Sequence, residues 1–321
     1  MSVEIDSKAE RKAEDLAARA VALWADVGPH GSPPERIETL KPAHRKSAVL
    51  RLVGAGPAGE SVVAKRAATA SIEVEARVYR DVLPHLPVSA TRLLGAAAEG
   101  DRSWLFLEDA GETPFDSKLA EHRRLASVWM ARAHGGARQL PGVSELPDRG
   151  PGHYRELLRS VEELLRETLG NPALSAEEVA AVEGVLEACE STEASWPRLA
   201  ARLEEPPKTI VFGGFSSKNA CVRASADGPA LMPFDFESAG HGCPAIDLVY
   251  PDGDAYVEEA CGWWSGLDRD GFDRLRGIGR TLGGLKAIPG ERKVLLGPTP
   301  SKAVAKLRWY GLEMTAGLGE A

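Results

Sequence analysis

Three side chains with oxygen ligand atoms follow short strand-like runs in the second half of the chain. Asn219 begins one such run after a glycine-containing loop, Asp235 follows the next run, and Glu237 lies two residues later. If the two runs form a hairpin, the side chains of Asn219 and Asp235 lie next to each other. Amide and carboxylate oxygens are the ligands that Mg²⁺ prefers. The spacing therefore predicts a magnesium site made by Asn219 and Asp235, with Glu237 supporting a second ion or bridging waters.

A lysine and a glutamate earlier in the chain could hold phosphate groups. The run from Ser61 to Lys65 predicts a strand, and a helical pattern from about Ile72 to Leu83 carries Glu75. A strand lysine paired with a helix glutamate is the arrangement with which kinases hold the α- and β-phosphates of ATP. Either residue alone is typical of a solvated surface, so this interpretation depends on the residues further along the chain.

The glycines between the first two strand-like runs allow a second interpretation. Gly54 to Gly59 match the pattern G-x-G-x-x-G, and Glu73 or Glu75 lies about 20 residues further on. A helix opening at Gly59 would bind a flavin or nicotinamide dinucleotide, as in an oxidoreductase. Arg51 argues against this, because a strand in a parallel sheet is buried on both faces. In the other interpretation the glycines form a turn between antiparallel strands.

Two longer motifs resemble one enzyme family. Residues 212–219, FGGFSSKN, are similar to the H-G-D-F-x-x-K-N loop of the aminoglycoside phosphotransferase and choline kinase-like family. Residues 235–248 resemble the D-x-E-x-A-G-x-G-x-P-x-x-D-L segment of that family, and the similarity extends over roughly residues 36–315. The resemblance implies an α+β, two-lobed protein kinase-like fold with a small antiparallel-sheet N-lobe and a large, mostly helical C-lobe. It also implies an ATP-dependent phosphotransferase that acts on an alcohol group.

The resemblance implies a role for each matching residue, with ATP and Mg²⁺ as cofactors and a small molecule or peptide as acceptor. The catalytic loop would contribute Lys218 and the position of Gly214. Mg²⁺ would be held by Asn219, Asp235 and Glu237. The nucleotide would contact, through side chains or hinge backbone, Lys65, Glu75, Glu108, Asp109 and Ala110.

A basic loop before the second strand-like run is a further candidate for the nucleotide site. Residues 42–47 read PAHRKS and lack the glycines of a protein-kinase phosphate loop. Arg45 and Lys46, together with Ser47, could reach phosphate oxygens as a planar fork and a point charge. The alternative is a solvated turn.

The chain departs from the family pattern where the proton chemistry takes place. Family members carry a histidine and a catalytic aspartate where this chain has Phe212 and Gly214. That aspartate orients the acceptor hydroxyl and accepts its proton, which glycine cannot do. Removing a general base typically costs about 10²- to 10⁴-fold in rate. Two functions follow: a phosphotransferase with a degenerate base, or a pseudokinase that scaffolds or regulates a partner enzyme.

The elements that position these residues fall into three predicted parts. Residues 1–31 form a helical appendage, residues 32–110 a nucleotide-binding N-lobe, and residues 111–321 a C-lobe with the metal and acceptor sites. The large aromatic residues of the C-lobe are expected in its core rather than on a substrate platform. They are Phe215, Trp263, Trp264, Trp309 and Tyr310.

The composition of the chain limits the kinds of partner that the protein can bind. The 321 residues carry a formal charge of −8, with a pI near 5.5 and interleaved charges, which excludes a nucleic-acid or anionic-membrane surface. The four cysteines are too widely spaced for a C-x-x-C site, and no apolar run is long enough to cross a bilayer. The charged start of the chain does not resemble a signal peptide, so we expect a cytoplasmic protein.

Overall fold

The protein is described by a computed structural model that covers residues 2–28, 32–41, 47–226 and 228–320. Its contacts divide the chain into two units. The first consists of Met1–Phe115 and Ser217–Ala239, and the second of Asp116–Ser216 and Gly240–Ala321. Within the described ranges, no helix has the length and apolar character needed to span a membrane.

The first part of the chain forms two helices and five strands. In order they are α1 (Ser2–Val27), β1 (Arg36–Lys41), β2 (Ala48–Val53), β3 (Val62–Ala68), α2 (Thr69–Arg77), β4 (Leu93–Glu99) and β5 (Arg102–Glu108). Helix α2 continues directly into a π-helical turn, Val78–Val82.

The middle of the chain is mainly helical. Its elements are α3 (Ala120–Ala137), α4 (Pro141–Ser144), β6 (Asp148–Arg149), α5 (Pro151–Leu169), α6 (Ala176–Ala194), α7 (Trp196–Glu204) and β7 (Thr209–Val211). The remaining elements are β8 (Ala220–Ser225), β9 (Gly228–Pro233), β10 (Gly240–Gly242), α8 (Gly253–Ala260), α9 (Arg269–Ala287), α10 (Arg292–Leu295) and α11 (Ser301–Glu320).

The first unit contains an antiparallel sheet with the strand order β1-β2-β3-β5-β4. Side chains alternate between its two faces, as the period of two along a strand requires. Leu52, Ala64 and Phe106 are buried on one face, where Leu23 and Trp24 of α1 cover them. Val63 and Lys65 point to the opposite face of β3 and line a cavity. The sheet therefore has one apolar face and one face available for polar chemistry.

The dinucleotide interpretation of Gly54 to Gly59 is wrong. Strands β2 and β3 are antiparallel, with Leu52 opposite Val62, so the glycines form the turn of a hairpin and no helix opens at Gly59. Gly54 and Gly59 have φ values of 74° and 82°, which glycine adopts without steric cost. A dinucleotide fold would need a parallel strand and a helix after this turn.

Strands β8 and β9 form the predicted second hairpin, which belongs to the first unit. Ala220 pairs with Pro233, and the Phe234 N–H donates to the Asn219 carbonyl at 2.9 Å. The side chains just outside the hairpin, on Asn219 and Asp235, are therefore held beside each other.

The second unit is built mostly from helices. Helix α11 packs along α9 and α6, α3 packs against α8, and α5 lies against α6. A small sheet with the order β6-β10-β7 crosses this unit. Gly279 of α9 is needed for close packing, because a Cβ there would lie 2.1 Å from the Ala245 carbonyl oxygen.

Trp24 fixes α1 to the sheet through both packing and a hydrogen bond. It is 2 % exposed, and its indole Nε1–H donates to the buried Ala55 carbonyl at 3.0 Å.

We expect Trp24→Phe to lower the free energy of unfolding by about 1–3 kcal/mol, because the Ala55 carbonyl loses its donor. Trp309→Phe is the control, since Trp309 is 54 % exposed. It should change stability by no more than about 0.5 kcal/mol. If urea unfolding shows that both variants lose the same free energy of unfolding, Trp24 does not fix α1 to the sheet.

Candidate functional site

Lys65 and Glu75 form a buried ion pair within the first unit. The Lys65 Nζ lies 2.6 Å from the Glu75 Oε2, and the two residues are 8 % and 0 % exposed. Lys65 lies on β3, the middle strand of the sheet, and Glu75 is on a buried face of α2. The strand and the short helix that follows it therefore place the predicted pair in hydrogen-bond contact.

Burial and charge act in opposite directions on this pair. Burial raises the pKa of Glu75 to about 7, although the Lys65 ammonium works to lower it. Burial disfavours the charged ammonium of Lys65, but Glu75, Asp235 and Glu237 outweigh that effect and raise the Lys65 pKa. The surrounding carboxylates therefore favour the cationic form of Lys65.

The hairpin formed by β8 and β9 brings two of the predicted metal ligands to the same lysine. The Lys65 ammonium donates to Asp235, and the Asn219 Nδ2 donates to the Asp235 Oδ2 at 3.3 Å. Glu237 is more distant, with its Oε2 3.5 Å from the Lys65 Nζ. Asp235 has a φ of 70°, and among the described non-glycine residues it alone has a positive φ. Such local strain is typical of functional positions that the surrounding structure enforces.

A cavity of about 500 Å³ lies against these residues and belongs entirely to the first unit. Eight of the predicted site residues line it: Lys65, Glu75, Glu108, Asp109, Ala110, Lys218, Asn219 and Asp235. Ser47 and Glu237 are not among its lining residues. Arg45 and Lys46 lie outside the described residues, and Gly214 belongs to the second unit.

Sequence reasoning missed two arginines near the cavity. Arg51, which lines it, donates to Asp109 at 2.5 Å and to Glu38 at 3.2 Å. Arg223 donates to the Glu108 Oε1 at 2.7 Å. The acidic side chains of the predicted hinge are therefore held in ion pairs. Glu38 lies opposite Arg51 in the paired strands, and this register would have indicated an ion pair. The register becomes visible only when the strand pairing is known.

The residues in this cavity fit a magnesium ion that arrives with a nucleotide. Within the described ranges, no group of three or more His, Cys, Asp or Glu residues could hold a metal by itself. Mg²⁺ in nucleotide sites is usually held by one or two protein oxygens together with the phosphates. Asp235 and Asn219 offer two such oxygens beside the Lys65 ammonium. This donor set suits a hard cation and a phosphate chain.

The loop in which Gly214 stands at the position of the expected base is held by hydrogen bonds within the second unit. The buried Asp247 carboxylate accepts from the Phe212 N–H at 2.7 Å and from the Gly214 N–H at 2.6 Å. The Lys286 ammonium donates to the Gly213 carbonyl. Gly213 and Gly214 have φ values of 85° and 97°, which favour glycine. These hydrogen bonds hold the backbone of the loop, but it presents no side chain at position 214.

Phe212, at the position where the family resemblance leads us to expect a histidine, lies in the core. It is buried, and its ring lies 5.0 Å from Trp129 and 6.0 Å from His134, measured between centroids. Such aromatic contacts add stability beyond simple burial. Phe212 therefore supports the loop and takes no part in proton transfer.

Asp247 is the main anchor of this loop, and its removal should be measurable. We expect Asp247→Asn to lower the free energy of unfolding by about 1–3 kcal/mol, since the amide can accept at one position but places a donor against the other N–H. Asp252→Asn is a matched control, because Asp252 caps α8 through the Ala255 N–H and asparagine caps equally well. Urea unfolding of both variants tests this. A loss in Asp252→Asn as large as in Asp247→Asn would contradict the anchor role.

The aromatic residues expected in the core differ in exposure. Phe215 is buried, whereas Trp309 is 54 % exposed. Both line a second cavity, of about 290 Å³, which the second unit forms beside Gly213 and Gly214. The expectation was wrong for Trp309 because α11 packs through its other face, on which Leu307 and Met314 are buried.

Comparison with known proteins supports the fold and the family. The model of the family described as "Phosphotransferase enzyme family" matches residues 40–281. No curated protein matches the chain in sequence.

Solved structures resemble the chain over most of its length. A candidate aminoglycoside phosphotransferase from Ralstonia eutropha JMP134 has a TM-score of 0.62 at 14% identity, covering 93% of this chain and 97% of its own. Spectinomycin phosphotransferase in complex with ADP and spectinomycin has a TM-score of 0.59 at 8% identity, covering 94% and 98%. An ethanolamine kinase from Plasmodium vivax has a TM-score of 0.57 at 10% identity, covering 88% and 81%. These likenesses confirm the predicted α+β, protein kinase-like fold.

Proposed function

We propose, since this chain belongs to the phosphotransferase enzyme family, that it binds a magnesium–nucleoside triphosphate in the cavity of its first unit and transfers the terminal phosphoryl group to a hydroxyl. The observation that carries the proposal is the contact of Lys65 with both Glu75 and Asp235, beside Asn219, in that cavity. ADP in the related spectinomycin phosphotransferase supports a nucleotide as the donor.

In the proposed reaction seven residues that line the cavity have a binding or orienting role. Glu75 holds the Lys65 ammonium in place, and Lys65 contacts the phosphate oxygens. Asp235 and Asn219 would hold Mg²⁺, which when bound neutralises charge on the phosphate chain. The backbone from Glu108 to Ala110 would face the nucleobase. The acceptor oxygen forms the new bond to phosphorus while the bond to the nucleoside diphosphate breaks.

This chain differs from the family pattern at the residue that would accept the proton of the acceptor hydroxyl. Gly214 provides no carboxylate to take that proton, so we propose that transfer is slow unless the acceptor or another group provides the base. The acceptor is a small molecule or a peptide. The named acceptors of related structures, such as spectinomycin and ethanolamine, are small molecules.

The metal site can be tested by calorimetric titration with ATP, with and without Mg²⁺. For Asp235→Asn we expect the magnesium-dependent part of the affinity to fall by at least roughly tenfold, since losing even a group that only supports a metal ligand costs that much. Asparagine tolerates the positive φ at this position. Asp109→Asn is the control, because Asp109 lines the same cavity but pairs with Arg51. If the magnesium-dependent part of the ATP affinity falls equally in both variants, Asp235 is not a specific metal ligand.

Phosphoryl transfer itself is tested by incubating the protein with MgATP and hydroxyl-bearing compounds. Mass spectrometry should detect an increment of about 80 Da, one phosphoryl group, on an acceptor. Retained nucleotide binding without any such increment would instead favour the second candidate, a pseudokinase that scaffolds or regulates a partner enzyme. The observations that favour this candidate are the absence of a side chain at Gly214 and the burial of Phe212.

A further inference from the structure

Thr91 places a buried hydroxyl on the wall of the first unit's cavity. It lines that cavity and is only 4 % exposed. Among the residues that the structure describes, none forms a hydrogen bond with its Oγ1. Buried polar groups in folded proteins nearly always have a hydrogen-bond partner. A ligand atom in the cavity would give this hydroxyl the partner that the protein does not supply.

Thr91 lies beside the segment that we propose faces the nucleobase. The carbonyl of the next residue, Arg92, accepts from the Glu108 N–H at 2.9 Å, and the Arg92 N–H donates to the Glu108 Oε2 at 3.3 Å. Strand β4 then begins at Leu93, which pairs with Leu107. These contacts hold the start of β4, and Thr91 with it, against the end of β5 from which residues 108–110 follow.

Tyr79 provides a second buried hydroxyl close to Thr91. Burial raises the pKa of the Tyr79 phenol, and the Thr91 hydroxyl is near enough to oppose that effect. Tyr79 is 3 % exposed, and within the described ranges its oxygen also lacks a hydrogen-bond partner. Tyr79 does not line the cavity. A ligand would therefore meet Thr91, and Tyr79 would be the neighbour on the protein side.

A hydroxyl in this position suits a ligand group of either hydrogen-bonding type. A hydroxyl both donates and accepts, so Thr91 can donate to a keto oxygen and accept from Tyr79, or accept from an amino group and donate to Tyr79. The purines differ at C6 in this way, because adenine carries an amino group there and guanine a keto oxygen. C6 lies at the end of the purine away from the sugar, so its substituent enters a base pocket deepest.

The apolar lining around Thr91 suits the flat ring of a base. Val49 and Val63 line the same cavity, as does Leu107, the residue before the segment 108–110. In ligand pockets a mostly apolar wall supplies contact area, while a few placed polar groups fix orientation and specificity. Thr91 is a polar group of that kind.

This inference rests on the proposed function and names the class of nucleotide. We propose that the site takes purine nucleotides with either an amino or a keto group on C6, and that the Thr91 hydroxyl binds that group. ATP and GTP would then both serve as phosphoryl donors, because one hydroxyl meets both substituents.

The test uses three triphosphates that differ at C6: ATP with an amino group, ITP with a keto oxygen, and purine riboside triphosphate with hydrogen. Each is titrated calorimetrically, with Mg²⁺, into the full-length wild type and into Thr91→Val. The substitution should weaken ATP and ITP by about three- to tenfold each, the usual contribution of one hydrogen bond. It should leave the affinity for purine riboside triphosphate unchanged, because that nucleotide has no C6 group for the hydroxyl to bind.

Two further variants assign the effect to the hydroxyl. Thr91→Ser keeps the hydroxyl and should keep the wild-type affinities for ATP and ITP. Thr39→Val is the matched control, since Thr39 is an exposed threonine of β1 in the same unit and does not line the cavity. It should leave all three affinities unchanged. Melting curves without nucleotide check that every variant folds.

Three results would overturn this inference alone. An equal loss for all three nucleotides in Thr91→Val would mean that residue 91 only shapes the cavity, and no loss for ATP and ITP would mean that its hydroxyl does not contact C6. A loss confined to one of the two would contradict the acceptance of both purines. In each case nucleotide binding itself remains. Absence of binding by all three nucleotides to the wild type would overturn the proposed function as well.

Discussion

Replacing Lys65 with methionine should lower the free energy of unfolding by about 3–5 kcal/mol at alkaline pH, where Glu75 is ionised. The reason is that Glu75, which is fully buried, would lose the ammonium that lies 2.6 Å from its carboxylate. An uncompensated buried carboxylate is far more costly than the loss of a surface pair. The measurement is urea unfolding of wild type and variant.

The effect of this substitution should also depend on pH. The Glu75 pKa is raised to about 7 by burial, and removing Lys65, which lowers it, raises it further. An acid whose folded pKa is raised loses stability as pH rises through the window between its unfolded and folded pKa. Glu75 is protonated in both folded proteins well below pH 7, so the difference between Lys65→Met and wild type should be smallest there and grow as pH rises above about 7.

The neighbouring residue on the same strand provides the control for Lys65→Met. Arg66 is partly exposed and pairs with Glu99 at 2.6 Å on the other side of β3. Arg66→Met should cost about 1 kcal/mol or less, with no such pH dependence. A loss in Lys65→Met no larger than in Arg66→Met would show that Lys65 and Glu75 do not form a buried functional pair.

Introducing aspartate at position 214 should increase the rate of MgATP hydrolysis by about 10²- to 10⁴-fold, the usual contribution of a general base. Water serves as the acceptor, so no acceptor needs to be known. A Cβ at Gly214 would lie 3.7 Å from Ile246, an ordinary contact, so there is room for a side chain. The φ of 97° costs any other residue roughly 1–2 kcal/mol, which lowers stability without closing the site.

Gly214→Asn separates the base from the shape of the side chain. Asparagine has nearly the same size and suffers the same backbone strain, but it cannot accept the proton. It should leave the hydrolysis rate at the wild-type level. If Gly214→Asp binds MgATP yet hydrolyses it no faster than Gly214→Asn, the rest of the catalytic apparatus is not intact, and the pseudokinase function is favoured.

The parts of the site that the sequence predicted are those fixed by short local patterns. Lys65 lies in a strand and Glu75 in the following helix, and a helix that follows its strand directly has few ways to pack. Asn219 precedes β8 and Asp235 follows β9, and Ala220 pairs with Pro233, so their proximity follows from the pairing of two strands that are neighbours in sequence. The motifs that carry the family resemblance are also contiguous segments, so they can be read from the sequence, and the family was confirmed.

The parts that could not be predicted depend on long-range packing. Strand β1 is an exposed edge and β4 is rich in glycine and alanine, so neither has the alternation that marks a strand. The ion pairs of Arg51 and Arg223 join residues 58 and 115 positions apart. The exposure of Trp309 depends on which face of α11 meets α9. None of these follows from local residue patterns.

Stabilisation of the wild-type protein by a magnesium–nucleotide tests the central claim most directly. The claim is that Lys65, Asn219 and Asp235 together bind a triphosphate with its metal in the cavity of the first unit. MgATP or MgGTP at about 100 times its dissociation constant should raise the free energy of unfolding by about 2.7 kcal/mol. Asp235→Asn, measured at the same nucleotide concentration, should gain much less. Unchanged stability of the wild type with both nucleotides at saturating magnesium would contradict the account.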